Sequence, residues 1–453
     1  MATGLPRTRW NGDNEFDGVP ATPIALAYEG KQTEEAILAT EAGQFELLYQ
    51  QSEASQKRLY YGDNLPVLSA LLQDATICGQ VRLIYIDPPF ATGSVFQSRS
   101  QKNAYTDLVS GTSYIEFMRQ RLIFLRELLA DDGSIYVHLD SNMAFYIKVV
   151  MDEIFGARNF RNWITRKKCN PKNYTRKTYG NISDYILFYT KSDNYVWYRP
   201  YESWTPEDVT KEYQYVEKET GRRYKKVPVH ASGVRYGATG GSWRGMKPPP
   251  GKHWQYTPEK LDEMDARGEI YWSPNGNPRR KIYLDNSLGK PVQDIWLDFR
   301  DAHNQNVRIT GYPTEKNPDL IARIIEASSN AGDIVLDCFA GSGTTLVKAE
   351  ELGRKWIGVD NSPQAIATTL MRYAIGTQPM GDFVSDRRDS KEKPSPTQLS
   401  FLNDDTPSEG GEPNKVYPIT DFSLFCLVGE SDDLVGVLRE WRQLLSAHRH
   451  KNR

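Results

Sequence analysis

Hydrophobic residues along this chain recur in two rhythms, and their alternation sets the expected architecture. Val81–Ile86 is a short, β-rich apolar run closed by two prolines, the pattern of a buried strand that cannot extend through residues lacking an N–H. Residues 114–130 then carry apolar positions at Phe117, Met118, Leu122, Leu125 and Leu129, a helical spacing that stops at Asp131-Asp132-Gly133. Far downstream, residues 333–337 predict another buried strand, 344–352 a helix ended by Gly353, 355–359 a strand ending in Asp360, and 362–375 a further helix. Strands alternating with amphipathic helices predict an α/β protein built on a doubly wound, Rossmann-like sheet.

Other segments break this rhythm. Residues 193–300 hold six of the ten tryptophans (Trp197, Trp204, Trp243, Trp254, Trp272, Trp296) together with turns such as Gly240-Gly241 and Pro248-Pro249-Pro250-Gly251. No βαβ pattern fits them, so the chain is expected to leave the sheet here, form an inserted domain and return. Arg222, Arg223, Lys225, Lys226, Arg244, Arg279, Arg280 and Lys281 offer phosphate or guanine contacts, though for any one of them surface charge around a small aromatic core is the commoner reading. Residues 58–192 and 301–383 become the two halves of the sheet domain. Residues 384–415 have the Ser, Pro, Asp, Glu and Gly content of a flexible linker. Residues 416–453 read as a small C-terminal module, a strand pair (416–419 and 422–428) followed by a helix (433–447). Residues 1–57 form an N-terminal extension with one helical stretch at 34–50, either a packing arm or a partner contact.

Composition narrows the class. With 453 residues and 39% hydrophobic content, the chain can bury one large core and a smaller one. The first twenty residues hold no apolar signal core and no stretch is long enough to cross a bilayer, so a cytoplasmic enzyme without membrane contact is expected. Cys78, Cys169, Cys338 and Cys426 are too dispersed for a zinc site or a disulfide framework; no structural metal is expected. A net charge of −2 does not mark a nucleic-acid binder, so any such case has to be local. Between Glu153 and Asp184 there is no acidic residue, while Arg158, Arg161, Arg166, Lys167, Lys168, Lys172, Arg176 and Lys177 interleave with Trp163, Tyr174 and Tyr179. Arg166, Lys167, Lys168, Lys172, Arg176 and Lys177 are the candidate phosphate contacts, against the equal alternative of a solvated basic loop.

Two motifs carry chemistry. At the end of the first strand stands Asp87-Pro88-Pro89-Phe90. Asp87 and the Pro88 carbonyl can each accept a hydrogen bond from an exocyclic amine, the imino acids bring no competing donor, and Phe90 can stack on a base. The second motif, Asp337-Cys338-Phe339-Ala340-Gly341-Ser342-Gly343, is a glycine loop between strand and helix. Gly341 and Gly343 let the backbone approach a ligand, and Asp360 at the end of the next strand is placed to grip a ribose diol. Such a unit suits NAD or S-adenosylmethionine. Leu346 occupies the third small position of the dinucleotide fingerprint, which serves a pyrophosphate poorly and favours S-adenosylmethionine. A nicotinamide oxidoreductase would leave the Asp87 corner unexplained.

Together these stretches resemble the amino-methylating DNA methyltransferases of the permuted β class, in which the Asp-Pro-Pro-Phe/Tyr motif precedes the Phe-x-Gly-x-Gly motif and a recognition region separates them. Further matches are Tyr61-Gly62-Asp63-Asn64, the run from Gly133 to Asp140, the run from Asp184 to Thr190, and the run from Tyr312 to Pro318; the resemblance covers residues 58–375. It implies a methyltransferase sheet in permuted order with an inserted target-recognition domain. It also implies catalysis at Asp87, Pro88, Pro89 and Phe90 on a base flipped from duplex DNA. Cofactor contacts would come from Phe339, Ala340, Gly341, Ser342, Gly343 and Asp360, with Asp63 near the cofactor adenine. Asp337 either orders the loop or faces the cofactor's amino-acid end. In this family an Asp at the head of the motif usually goes with adenine N6, and Ser is commoner for cytosine N4, which stays the alternative. An RNA or protein methyltransferase and a non-catalytic DNA-binding subunit stand behind these. A second copy of the chain and a restriction subunit are the partners the resemblance raises. Two positions depart from the pattern: Cys338 stands where Pro is frequent, and Ala91 where Asn often follows.

Overall fold

The computed structural model describes residues 24–53, 55–89, 111–171, 177–301, 315–376 and 419–451; Phe90, Lys172, Arg176 and the expected 384–415 linker lie outside them. In chain order the first elements are α1 (Glu34–Leu38), β1 (Phe45–Gln50), β2 (Arg58–Tyr61), α2 (Asn64–Gln73), β3 (Val81–Ile86), α3 (Gly111–Leu128), β4 (Leu129–Leu139), α4 (Ala144–Met151), β5 (Phe160–Lys167) and β6 (Ser183–Thr190). Then come β7 (Tyr201–Glu202), α5 (Pro206–Glu212), β8 (Tyr215–Val216), β9 (Arg223–Pro228), β10 (His230–Ser232), β11 (Lys252–Trp254), α6 (Pro258–Ala266), β12 (Ile270–Trp272), β13 (Pro278–Tyr283) and β14 (Lys290–Pro291). The chain closes with β15 (Ile295–Trp296), α7 (Pro318–Ser328), β16 (Ile334–Asp337), α8 (Thr344–Glu351), β17 (Lys355–Asp360), α9 (Pro363–Ile375), β18 (Ser423–Leu427) and α10 (Val435–Lys451).

The described residues up to Tyr198 and from Gln293 onward form one compact unit, and Arg199–Val292 another. The first is built on a single sheet of order β1-β18-β2-β17-β16-β3-β4-β6-β5-β15. Its middle, β18 through β4, is parallel, while β6 runs antiparallel to β4 and β5. Successive residues of a strand point to opposite faces, yet Leu83, Ile84, Tyr85 and Ile86 on β3 and all of β16 are buried. Both faces are therefore covered, as a parallel sheet requires. The chain leaves β3 toward β4 on one side and β16 toward β17 on the other. The β3–β16 seam is thus the switch point, where open α/β sheets bind ligands at the carboxyl ends of their strands.

The second unit pairs β12-β13-β9-β8 antiparallel around a core of Val229, Trp243, Trp254, Leu261, Met264 and Ile270. Several of its candidate cations are already engaged within it. Arg222 pairs with Asp285, Arg244 with Asp262 and Asp265, Lys225 with Glu212 and Lys281 with Glu217.

Two expectations are corrected. Residues 34–50 do not make one helix: α1 ends at Leu38, and Phe45–Gln50 is a strand paired antiparallel with β18. The described part of 416–453 is not a separate module either, because β18 lies between β1 and β2 inside the main sheet and α10 packs on α9. The physical reason is shared. A short apolar strand such as Ser423–Leu427 cannot bury itself, and it finds cover in β1, β2 and the aromatic cluster of Tyr49, Phe422 and the buried Trp441. No helix among the described residues is long and apolar enough to cross a membrane.

Candidate active site

Four parallel strands end along one edge and deliver the candidate residues there. Asp360 pairs with Tyr61, Asp337 with Gly358, and Leu336 with Ile84, so the turns after β2, β17, β16 and β3 lie side by side. Asp87 leaves β3 directly into Pro88 and Pro89, whose ring-locked backbones stop the strand. Its Oδ2 lies 2.9 Å from Lys316 Nζ, and its Oδ1 is buried without a hydrogen-bond partner among the described residues.

The loop after β16 is held by its own backbone. Gly341 and Gly343 take φ of 53° and 72°, and a side chain on Gly343 would also meet Thr369 at 2.8 Å. Gly343 N donates to Ala340 O (2.8 Å), and Ala340 N to Val359 O (3.0 Å). Asp337 Oδ1 accepts from Phe339 N (3.0 Å), and Thr345 also bonds its carboxyl, so this acid orders the loop. Asp360 accepts from Gly341 N (2.8 Å) and Ser362 N (2.9 Å), which ties the loop to the end of β17. Burial lifts both acids, Asp337 to about 7 and Asp360 to about 6, and the backbone donors hold the Asp360 value down against that burial. Ser342 is buried with its hydroxyl turned to Thr344 (3.1 Å), while Arg372 reaches Thr344 Oγ1 at 2.8 Å and Ser342 O at 3.2 Å.

Asp63 sits on the same edge, where Gly62 N donates to Asp360 O (3.1 Å), but it has work of its own. It caps α2 by accepting from Leu65 N (2.8 Å) and pairs with Arg121 Nη2 (3.0 Å). Next to it Asn64 donates to Cys338 O (2.8 Å) and accepts from Arg121, linking α2 and α3 to the glycine loop. Asn64, Arg121, Lys316 and Arg372 escaped the sequence reading. The Tyr61–Asn64 and 312–318 stretches did mark two of them as belonging to matched motifs.

Under this edge runs a buried polar chain. Tyr85 Oη lies 2.8 Å from His138 Nδ1, His138 Nε2 lies 3.0 Å from Asp184 Oδ2, and Arg166 Nη1 lies 2.9 Å from the same oxygen. Burial alone would raise the Asp184 carboxyl, but His138 and Arg166 hold it well below the usual carboxylate range.

Arg166 is therefore a correction. It is fully buried on β5, directly across from Asp184 on β6, and also bonds Asp301 Oδ1 and Phe299 O, both at 2.6 Å. The basic run hid this because β5 alternates: Ile164 and Arg166 point inward, whereas Lys167 and Lys168 are half-exposed and Lys177 is exposed. Lys172 and Arg176 lie outside the described residues.

Comparison with known proteins places these residues in company. Residues 81–371 match the family model described as DNA methylase. The type II methyltransferase M.EcaI of Enterobacter cloacae is 46% identical over 400 residues, 85% of this chain and 87% of its own. The Mod subunit of the type III restriction-modification enzyme StyLTI of Salmonella typhimurium is 28% identical over 374 residues, covering 72% of this chain and 55% of that protein. The type II methyltransferase M1.MboII of Moraxella bovis is 25% identical over 292 residues, 63% of this chain and 86% of its own.

The Arg166 assignment is testable. Arg166→Ala leaves Asp184 buried without its guanidinium and should cost about 3–5 kcal/mol in urea denaturation. If stability is unchanged while the salt dependence of DNA binding flattens, Arg166 contacts phosphate after all.

Proposed function

The chain belongs to the DNA methylase family, and we propose that it transfers a methyl group from S-adenosylmethionine to N6 of adenine in duplex DNA. The observation that carries this reading is the β3–β16 seam, which sets an amine-accepting corner beside a glycine loop backed by a ribose-binding type of acid. The loop suits the cofactor: its left-handed glycines keep the backbone bare, and Asp360 retains acceptor capacity beyond its backbone donors. The Phe339–Gly343 backbone and Asp360 would hold it. When bound, it supplies an electrophilic sulfonium methyl.

The protein's own part is to present the amine. A duplex buries N6, so the base has to leave the stack at a cost of a few kcal/mol. Asp87 Oδ1, buried and without a hydrogen-bond partner among the described residues, accepts one N6–H, and the Pro88 carbonyl is the acceptor for the other. With both hydrogens held, the nitrogen lone pair turns out of conjugation with the ring. Phe90 stacks on the base and Asp87 Oδ1 takes the departing proton. Proximity supplies much of the remaining acceleration.

The adenine assignment rests on the Asp at the head of the motif. Residues 193–300 read the sequence, Lys167, Lys168 and Lys177 meet phosphates, and the chain works in the cytoplasm as the modification enzyme of a restriction-modification system, as the names of its relatives suggest.

Incubation with duplex DNA and isotope-labelled cofactor, followed by digestion to nucleosides and mass spectrometry, should give N6-methyladenine. N4-methylcytosine would overturn the base and keep the site, and label in RNA or protein alone would overturn the reading. The cofactor site also carries a pH prediction. Asp360 is lifted to about 6 in the free protein, and a ribose diol bonds its ionised form, so binding below that pH must first release a proton. Affinity should hold above pH 7 and fall by up to about tenfold per unit below 6, and Asp360→Asn should remove that dependence. Calorimetry that finds an unchanged fall in Asp360→Asn would assign it to another group.

A further inference from the structure

Of three consecutive residues ahead of α7, two engage different parts of the site and the third anchors the helix. Glu315, 3% exposed, pairs with Arg372 (3.3 Å), the residue that bonds Thr344 and Ser342 in the glycine loop. Lys316, 9% exposed, places Nζ 2.9 Å from Asp87 Oδ2. Asn317 caps α7 by accepting from Asp319 N (2.9 Å) and donates to Arg300 O (3.4 Å), with Pro318 opening the helix. A segment fixed at both neighbours thus delivers a single ammonium to the catalytic acid.

That delivery matters because the carboxylate torsion of an aspartate is broad and two-fold, so prolines that fix the Asp87 backbone do not choose which oxygen faces the target. The ammonium occupies Oδ2, and Oδ1 is the buried atom without a hydrogen-bond partner among the described residues. We propose that Lys316 is the positioning residue of the reaction: by holding Oδ2 it presents Oδ1 to the exocyclic amine, in fixed relation to the cofactor loop through Glu315 and Arg372. This rests on Asp87 being the amine acceptor. A compact ammonium suits the task, since it satisfies one oxygen and leaves the other uncovered, whereas a guanidinium fork tends to bridge both.

The test is single-turnover methylation at saturating DNA and cofactor, with cofactor and DNA affinities measured separately. Lys316→Met should lower the single-turnover rate about a hundredfold, the order expected for a misplaced reacting group, while both affinities stay within about threefold. Lys316→Ala should recover at least tenfold of its loss on addition of ethylammonium, a rescue that general loosening of the fold would not show. In an Asp87→Asn background, Lys316→Met should add less than threefold further loss, because the two residues act as one unit. A rate within threefold of the parent in Lys316→Met, or full additivity in the double variant, overturns the proposal. Asp87→Ala run alongside separates the levels. A retained rate there overturns the reading of Asp87 and this proposal with it, whereas loss there with a retained rate in Lys316→Met overturns this proposal alone.

Discussion

The pairing of β16 with β3 is the constraint on which the rest of the molecule depends. The two strands are far apart in sequence, and bringing them together costs chain entropy that only burial of both faces can offset. Leu83, Ile84, Val335 and Leu336 meet that cost as adjacent, fully buried residues. Register is then rigid, because both faces are close-packed and a slip of one residue would misfit every side chain against its neighbours. The consequence at the strand ends is that Asp87 and the glycine loop have no freedom to separate.

That closeness creates an electrostatic problem. Asp87, Asp337 and Asp360 converge on one edge, and like charges in a buried place disfavour ionisation. Each acid meets this differently. Asp87 has the Lys316 ammonium, Asp360 has backbone N–H groups from Gly341 and Ser362, and Asp337 has Phe339 N and Thr345. The donors do not fully compensate burial, and Asp337 and Asp360 stay lifted to about 7 and about 6. A cofactor carrying positive charge would relieve the same crowding, so affinity and site electrostatics pull in one direction.

The sheet's centre was legible because its signals are local. Val81–Ile86 and Lys355–Asp360 appear as expected from apolar runs with sharp stops, and the helix after the glycine loop starts at Thr344 where the left-handed Gly343 allows it. The edges were not legible in the same way. Ser423–Leu427 falls within the strand expected at 422–428, but its place between β1 and β2, and the strand character of Phe45–Gln50, come from pairing between segments far apart in sequence. The site divided along the same line. Asp87, Asp337 and Asp360 stand at strand ends that sequence can mark, whereas Lys316 reaches Asp87, Arg372 the glycine loop, and Arg121 the Asp63–Asn64 turn from other elements. Arg166 shows the converse: a basic residue in a basic run is read as surface until the strand it occupies turns it toward Asp184.

On the proposed function, adjacent strand ends divide the labour, with amine handling at β3 and cofactor handling at β16 and β17. The most direct measurement is a paired one, methylation rate and S-adenosylmethionine affinity in Asp87→Ala and in Asp360→Ala. Asp87→Ala should lose more than nine-tenths of the rate and keep cofactor affinity within a few fold. Asp360→Ala should lose roughly 1.5–3 kcal/mol of cofactor affinity through its charge-assisted bonds. If both variants lose rate and affinity in parallel, the two strand ends do not carry separate tasks.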